Sequence, residues 1–114
     1  MKIGITGATG HVGVNLVKKL VKLRHDVKVL IYRDHKEIDD LEVERVKGDV
    51  LNPESLVEFC KDVEVVFHLA AIISIGSDKE SKVYSTNVEG TKNLVFQAKK
   101  SGVKKLIHFS SIHA

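Results

Sequence analysis

The chain opens with Ile3-Gly4-Ile5-Thr6-Gly7-Ala8-Thr9-Gly10-His11-Val12-Gly13, a short apolar run that leads into three glycines at three-residue spacing. An amphipathic helical pattern begins directly after them, with Val12, Leu16, Leu20 and Leu23 on one face. This order of strand, glycine turn and helix predicts the start of a β-α-β unit.

Each of the three glycines suits an anion-binding turn. Gly7 allows a tight turn, Gly10 lets the backbone approach a phosphate without an intervening Cβ, and Gly13 lets the helix pack closely on the strand. The helix presents unpaired N–H groups and the positive end of its dipole. The stretch therefore predicts a pyrophosphate site, although Thr9 and Val12 stand where the common G-x-G-x-x-G pattern has glycine.

Apolar runs alternate with helical stretches along the chain, which indicates an α/β protein with a parallel sheet. Strands are predicted at 2–6, 27–32, 43–47, 63–70 and 104–110, and helices at 11–23, 53–60 and from the end of a loop at 81 to 101. Asn52 is the predicted N-cap of the second helix and Gly102 the left-handed cap of the third. Right-handed crossovers favour a doubly wound sheet in the order 3-2-1-4-5.

Composition predicts one soluble globular domain, residues 1–114, with a modest core, since hydrophobic residues make up 43% of the 114. No run approaches the roughly 20 apolar residues of a membrane span, so no membrane partner is expected. The single cysteine, Cys60, cannot form an internal disulfide; we expect it to be buried and the protein to be cytoplasmic. The six histidines show no metal-ligand spacing, and no metal site is predicted.

The net charge of +3 is unevenly distributed, with a basic stretch between residues 17 and 36. Its members are Lys18, Lys19, Lys22, Arg24, Lys28, Arg33 and Lys36. The lysines lie opposite the apolar stripe of the first helix and have no interleaved aromatic residues. This pattern favours a solvated face over a nucleic-acid surface.

Short motifs along nearly the whole chain resemble those of one family, in the right order. They are Thr6-Gly7-Ala8-Thr9-Gly10-His11-Val12-Gly13, Tyr32-Arg33-Asp34, Gly48-Asp49-Val50, Val66-Phe67-His68-Leu69-Ala70-Ala71, Asn87-Val88-Glu89-Gly90-Thr91 and Phe109-Ser110-Ser111. The chain resembles the N-terminal, nucleotide-binding half of an extended short-chain dehydrogenase/reductase. Within that family it is most similar to the branch of dihydroflavonol reductases and 3β-hydroxysteroid dehydrogenases, which implies a Rossmann fold.

The resemblance implies a nicotinamide dinucleotide cofactor. The implied cofactor-binding residues are Gly7, Thr9, Gly10, His11, Val12, Gly13, Arg33, Asp49, Val50, Leu69, Ala70, Ala71, Asn87 and Ser110. Arg33 stands where NAD-preferring members carry an acid, and its planar donor fork suits a ribose 2′-phosphate, so NADP(H) is favoured over NAD(H). Asp49 would accept from the adenine amine; a local turn hydrogen bond is its alternative role.

Catalysis is implied at Ser111, which matches the serine that hydrogen-bonds the substrate oxygen, while Asn87 matches an asparagine that supports the structure and a proton relay. In that family a Tyr-x-x-x-Lys pair lies further along the chain, and this sequence has no match to it there. Tyr32 and Lys36 have the spacing but follow the second strand, on the adenosine side. We therefore expect this chain to bind cofactor without turnover.

The leading functional hypothesis is the cofactor half of an NADP(H)-dependent carbonyl reductase or alcohol dehydrogenase acting on a small-molecule substrate. The first alternative is a nucleotide-sugar epimerase or dehydratase, which usually carries an acid where Arg33 stands. The second is a non-catalytic, dinucleotide-binding redox sensor. Because the predicted fifth strand leaves an edge, we expect either a longer protein, truncated here, or a homodimer that covers the edge.

Overall fold

The computed structural model describes residues 1–7, 11–31, 41–69 and 77–109, and only the backbone of residues 11–12, 77–87 and 109. These residues form β1 (Lys2–Thr6), α1 (His11–Lys22), β2 (Asp26–Ile31), β3 (Glu44–Lys47), α2 (Pro53–Cys60), β4 (Val65–Leu69), α3 (Ser77–Ser101) and β5 (Lys105–Phe109). All neighbouring strands are parallel, in the order β3-β2-β1-β4-β5. The predicted doubly wound Rossmann sheet is confirmed.

The sheet is covered on both faces, because alternate residues of each strand point to opposite sides. On one face Ile3, Ile5, Val27 and Val29 pack against the apolar stripe of α1, which includes Val17. On the other face the core packs beneath α2 and α3; it comprises Leu30, Val46, Leu56, Phe59, Cys60, Val63, Val66, Leu94 and Ala98. Burial of Cys60, as predicted, raises the pKa of its thiol to about 11.

The helix boundaries follow local sequence signals with one exception. Asn52 caps α2 as predicted, since its Oδ1 accepts from the Glu54 N–H at 3.1 Å, and Gly102 ends α3 with a φ of +82°. The predicted loop through residue 81 is wrong in its last part, because α3 already begins at Ser77. The sequence of this first turn is polar and has no apolar periodicity that would have indicated a helix. No helix in the described segments is both long and apolar enough to cross a membrane.

One member of the basic stretch, Lys28, is buried rather than solvated. It lies in β2 between Val27 and Val29, so its side chain faces α2, and it is only 1% exposed. Its Nζ donates to the carbonyls of Glu58 at 2.6 Å and Lys61 at 3.0 Å, at the end of α2. A lysine at this position donates to carbonyls at the C-terminal end of the helix, where that of Glu58 also accepts from the Lys61 N–H at 3.3 Å, and complements the negative end of the helix dipole.

The ammonium of Lys28 also lies 3.5 Å from Glu44 Oε2, while Glu44 Oε1 accepts from Lys2 at 2.9 Å. The hydrogen bond from Lys2 lowers the pKa of Glu44, and that same bond raises the pKa of Lys2. These charges lie at the amino edge of the sheet, where β1 and β3 begin.

Candidate functional site

The carboxyl edge of the sheet contains the glycine turn that the sequence singled out. Gly7 follows β1 with a φ of +73°, in the left-handed region that favours glycine. A Cβ at this position would lie 2.4 Å from the Leu69 carbonyl oxygen and 2.9 Å from Leu69 Cβ. Gly7 is therefore required both by its backbone conformation and by its approach to the end of β4.

The helix that follows is suited to an anion. α1 begins at His11, and its first turn contains no acidic residue that would occupy the positive end of the dipole. Gly13 is buried within this turn, as expected for a glycine that lets the helix approach the sheet. The unpaired N–H groups of this turn are the donors a pyrophosphate would use.

A polar network lies at the same edge, beside the glycine turn. Thr6 and His68 are register partners in β1 and β4, and Thr6 Oγ1 lies 2.5 Å from His68 Nδ1. His68 Nε2 lies 3.0 Å from Thr91 Oγ1 on α3. Both ring nitrogens are thus bonded to hydroxyls, which can donate or accept as the imidazole tautomer requires.

His68 is neutral at ordinary pH. Its burial, together with the nearby His108, lowers its pKa to about 4. His108 is the register partner of His68 in β5, and the two rings stack with centroids 5.0 Å apart. The edge therefore presents hydroxyls, backbone amides and an uncharged imidazole.

The segment after β3 forms a tight, locally bonded turn around Asp49. Asp49 Oδ1 accepts from the Leu51 N–H at 3.0 Å, which is the local turn bond considered as the alternative role of this residue. The Ser55 hydroxyl accepts from the Asp49 N–H at 3.1 Å and lies within hydrogen-bond distance of the carbonyls of Asp49 and Asn52. None of the hydrogen bonds between Asp49 and the described residues uses Oδ2.

The neighbouring Val50 is held by α3. A Cβ at the buried Gly90 would lie 2.5 Å from Val50 Cγ2, so glycine is needed for α3 to approach this side chain. Asn93 Nδ2 donates to the Val50 carbonyl at 3.0 Å. One turn of α3 thus fixes the segment after β3 through Gly90 and Asn93, and contacts β4 through Thr91.

The structure brings together part of the predicted site. Gly7 and Leu69 are in direct contact, Gly13 lies in the first turn of α1, and Asp49 and Val50 follow the adjacent strand β3. The backbones of His11, Val12 and Asn87 lie within α1 and α3. The remaining predicted site residues lie outside the described residues: Thr9, Gly10, Arg33, Ala70, Ala71, Ser110 and Ser111.

The sequence patterns predicted no role at this edge for Thr6, Thr91 or Asn93, and none for His68. The signal available was a polar residue at the end of each of two buried strands, Thr6 after Ile5 and His68 before Leu69. Within the described residues no group of three or more histidine, cysteine or acidic side chains could hold a metal ion.

Comparison with known proteins gives the same picture over nearly the full chain. Residues 4–114 match the model of the 3-beta hydroxysteroid dehydrogenase/isomerase family. The chain is 38% identical over 112 residues to sterol demethylase protein B from Methylococcus capsulatus, covering 96% of this chain and 34% of that protein.

Two solved structures share the fold. A short-chain dehydrogenase/reductase superfamily protein from Agrobacterium tumefaciens with bound NAD has a TM-score of 0.83 and 28% identity, covering 97% of this chain and 33% of that one. A UDP-glucose 4-epimerase has a TM-score of 0.84 and 28% identity, covering 95% and 35%. The chain thus spans about a third of the length of each relative. It belongs to the 3-beta hydroxysteroid dehydrogenase/isomerase family, which confirms the resemblance drawn from its motifs.

Proposed function

We propose that the chain binds a nicotinamide dinucleotide, with the pyrophosphate at the N-terminus of α1. The observation that carries this proposal is the turn at Gly7, which has a φ of +73° and lies against the Leu69 carbonyl directly before a helix. This geometry, at the carboxyl edge of a parallel sheet and beside the central strand, is where open α/β sheets bind ligands. The bound NAD of the similar Agrobacterium tumefaciens protein supports it.

The adenosine half of the cofactor would lie toward β2 and β3. Asp49 Oδ2 would accept from the adenine amine, while the turn bond through Oδ1 holds the carboxylate in place. Arg33, which follows β2 by two residues, would bind a ribose 2′-phosphate, so the proposed preference is for NADP(H). Thr9, Gly10, His11 and Val12 complete the pyrophosphate site in this proposal; Ala70, Ala71, Asn87 and Ser110 complete the ribose and nicotinamide side.

The proposed reaction is hydride transfer between the cofactor and a small-molecule carbonyl or alcohol. The cofactor supplies the hydride, and Ser111 would donate a hydrogen bond to the substrate oxygen. Because the chain spans about a third of the length of its relatives, this activity is proposed for the whole protein. A cytoplasmic location and a homodimer belong to the same proposal.

The alternative from another reaction class is a nucleotide-sugar epimerase, which the likeness to a UDP-glucose 4-epimerase favours. The residue at position 33 distinguishes the reductase from the epimerase hypothesis. An epimerase that holds NAD tightly needs an acid there to accept from the ribose hydroxyls, rather than the guanidinium of an arginine. A non-catalytic redox sensor would bind both the reduced and oxidised dinucleotide and use neither on a substrate.

The test is calorimetric titration of the purified chain with NADPH and with NADH. We expect tighter binding of NADPH, and we expect Arg33→Asp to raise its Kd at least tenfold while changing the Kd of NADH less than threefold. A tenfold change corresponds to about 1.4 kcal/mol, the size of one charge-assisted hydrogen bond. Unchanged NADPH binding in Arg33→Asp would reject the phosphate assignment.

The matched control is Arg24→Asp. Arg24 is exposed and lies between α1 and β2, at the amino edge. This variant changes the net charge by the same amount but lies away from the carboxyl edge, so both Kd values should stay within twofold of wild type. If wild type binds neither dinucleotide, the proposed function is wrong.

A further inference from the structure

We propose that His68 is a positioning residue that fixes the turn at Gly7 and thereby sets the affinity for the dinucleotide; this inference rests on the proposed function. His68 itself is buried and touches no ligand in this proposal. It acts through the hydroxyl of Thr6, the last residue of β1.

Thr6 pairs with His68 across β1 and β4. The residues that follow them in the chain, Gly7 and Leu69, are in close contact at the turn. The hydrogen bond between Thr6 and His68 therefore lies one residue before the turn. It sets how closely the ends of the two strands approach.

His68 is held from three sides. Thr6 contacts Nδ1 from β1, Thr91 contacts Nε2 from α3, and the His108 ring stacks on it from β5. His68 is 6% exposed and Thr6 is 2% exposed. A rigid ring with both nitrogens engaged transmits the position of α3 to the end of β1, whereas a flexible side chain would not.

The hydrogen bonds of His68 join the two halves of the proposed site. Thr91 lies in the same turn of α3 as Gly90 and Asn93, which hold the segment containing Val50. One turn of α3 therefore holds the proposed adenine segment directly and the pyrophosphate turn through His68 and Thr6. Loss of the His68 link would free the pyrophosphate turn while leaving the adenine segment in place.

Two isosteric replacements of His68 separate its two bonds. Asparagine places a polar atom near the position of Nδ1, facing Thr6, whereas glutamine places one near Nε2, facing Thr91. By calorimetric titration with NADPH and NADH we expect His68→Gln to raise both Kd values about tenfold, as does loss of one buried hydrogen bond. His68→Asn keeps the bond to Thr6 and loses only the link to Thr91 on α3, so it should raise both Kd values less, by about threefold.

Thr6 gives the reciprocal test. Thr6→Val removes the hydroxyl at nearly constant volume and should also raise both Kd values about tenfold, while Thr6→Ser, which restores the hydroxyl, should return them to within threefold of wild type. Circular dichroism confirms that each variant is folded at the titration temperature. If Thr6→Val does not fold, the comparison of His68→Asn with His68→Gln decides.

Lys28→Met is the control for a purely structural role, because it destabilises the opposite edge of the sheet and should leave both Kd values unchanged. If this variant weakens binding as much as His68→Gln does, affinity follows global stability and the inference is wrong. Folded His68→Gln and Thr6→Val proteins with wild-type Kd values would also overturn it, with the proposed function intact. Failure of wild type to bind either dinucleotide would instead remove the proposed function, and this inference with it.

Discussion

The two edges of the sheet are built from different chemistry. At the amino edge, Lys2, Lys28 and Glu44 form a charged cluster, and Lys28 also satisfies carbonyls at the end of α2. At the carboxyl edge, the described side chains that hold the strands together are uncharged: the hydroxyls of Thr6 and Thr91 and the neutral imidazole of His68.

Helix direction explains the difference. In a sheet of parallel strands joined by helices, helix C-termini lie at the amino edge and N-termini at the carboxyl edge. Cations at the amino edge therefore complement the negative ends of the dipoles. At the carboxyl edge the first turn of α2 contains Glu54, but the first turn of α1, beside the glycine turn, contains no acidic residue, so the field there is available to an anionic ligand. One edge contributes stability, and the other is arranged for binding.

The largest expected effect is that of Gly7→Ala at the carboxyl edge. The added Cβ would occupy a left-handed conformation and meet the Leu69 carbonyl at 2.4 Å, so β1 and β4 must move apart. We expect a loss of about 4 kcal/mol in the free energy of unfolding and no detectable NADPH binding. Urea denaturation and calorimetry measure the two.

Gly102→Ala is the matched control. Gly102 also has a positive φ, of +82°, but no atom of the described residues lies within 4 Å of the point that an added Cβ would occupy. The substitution should cost only about 1 kcal/mol, the conformational penalty alone. An equal loss of unfolding free energy in Gly7→Ala and Gly102→Ala would show that the close approach of residue 7 to Leu69 does not affect stability.

The next effect is the dependence of stability on pH. The folded-state pKa of His68, about 4, lies below the ordinary value of 6.5, so the unfolded chain takes up a proton first as the pH falls. The contribution of the neutral His68 to the free energy of unfolding is fully present above pH 6.5. Acidification toward pH 4 removes it, with a total loss of about 3 kcal/mol. Urea denaturation at several pH values measures this loss.

His68→Asn is the reference for that experiment, since it removes the His68 imidazole and leaves every other side chain unchanged. The difference in unfolding free energy between wild type and this variant should shrink as the pH falls from 6.5 to about 4. A difference that stays constant with pH would show that His68 is not held neutral.

The smallest of the three effects is at the amino edge. Lys28→Met removes the side-chain donor to the carbonyls of Glu58 and Lys61, of which that of Glu58 keeps the Lys61 N–H, and we expect it to cost about 2 kcal/mol of unfolding free energy. Lys2→Met removes a more exposed partner of the same Glu44 and should cost less than about 1 kcal/mol. Denaturation midpoints measure both effects. A larger loss of stability for Lys2→Met than for Lys28→Met would contradict the view that the buried lysine contributes more.

Sequence patterns predicted the order and direction of the strands because the buried runs are short, apolar and separated by clear caps such as Asn52 and Gly102. They did not predict that Lys28 is buried, since its partners are carbonyls 30 and 33 residues away, which no local pattern encodes. The bonds of His68 depend in the same way on the register of β1 with β4 and on the position of α3.

Within the candidate site, the contact between Gly7 and Leu69 follows from strand adjacency, which the predicted order contains. The roles of Gly90 and Asn93 do not, because a helix surface residue becomes a contact only once the packing of α3 is known. Arg33 and Ser111 stay predictions, based on their places in the family motifs.

The separation of Thr6 and His68 by 62 positions has a consequence for how the chain is made. When β1 leaves the ribosome, β2 follows within about 20 residues, but the strand that completes its other side is synthesised only some 60 residues later. The nascent chain can therefore assemble β1, β2 and β3 while the Thr6 hydroxyl still contacts water. The glycine turn acquires its final shape in a later step, when the second half of the sheet docks.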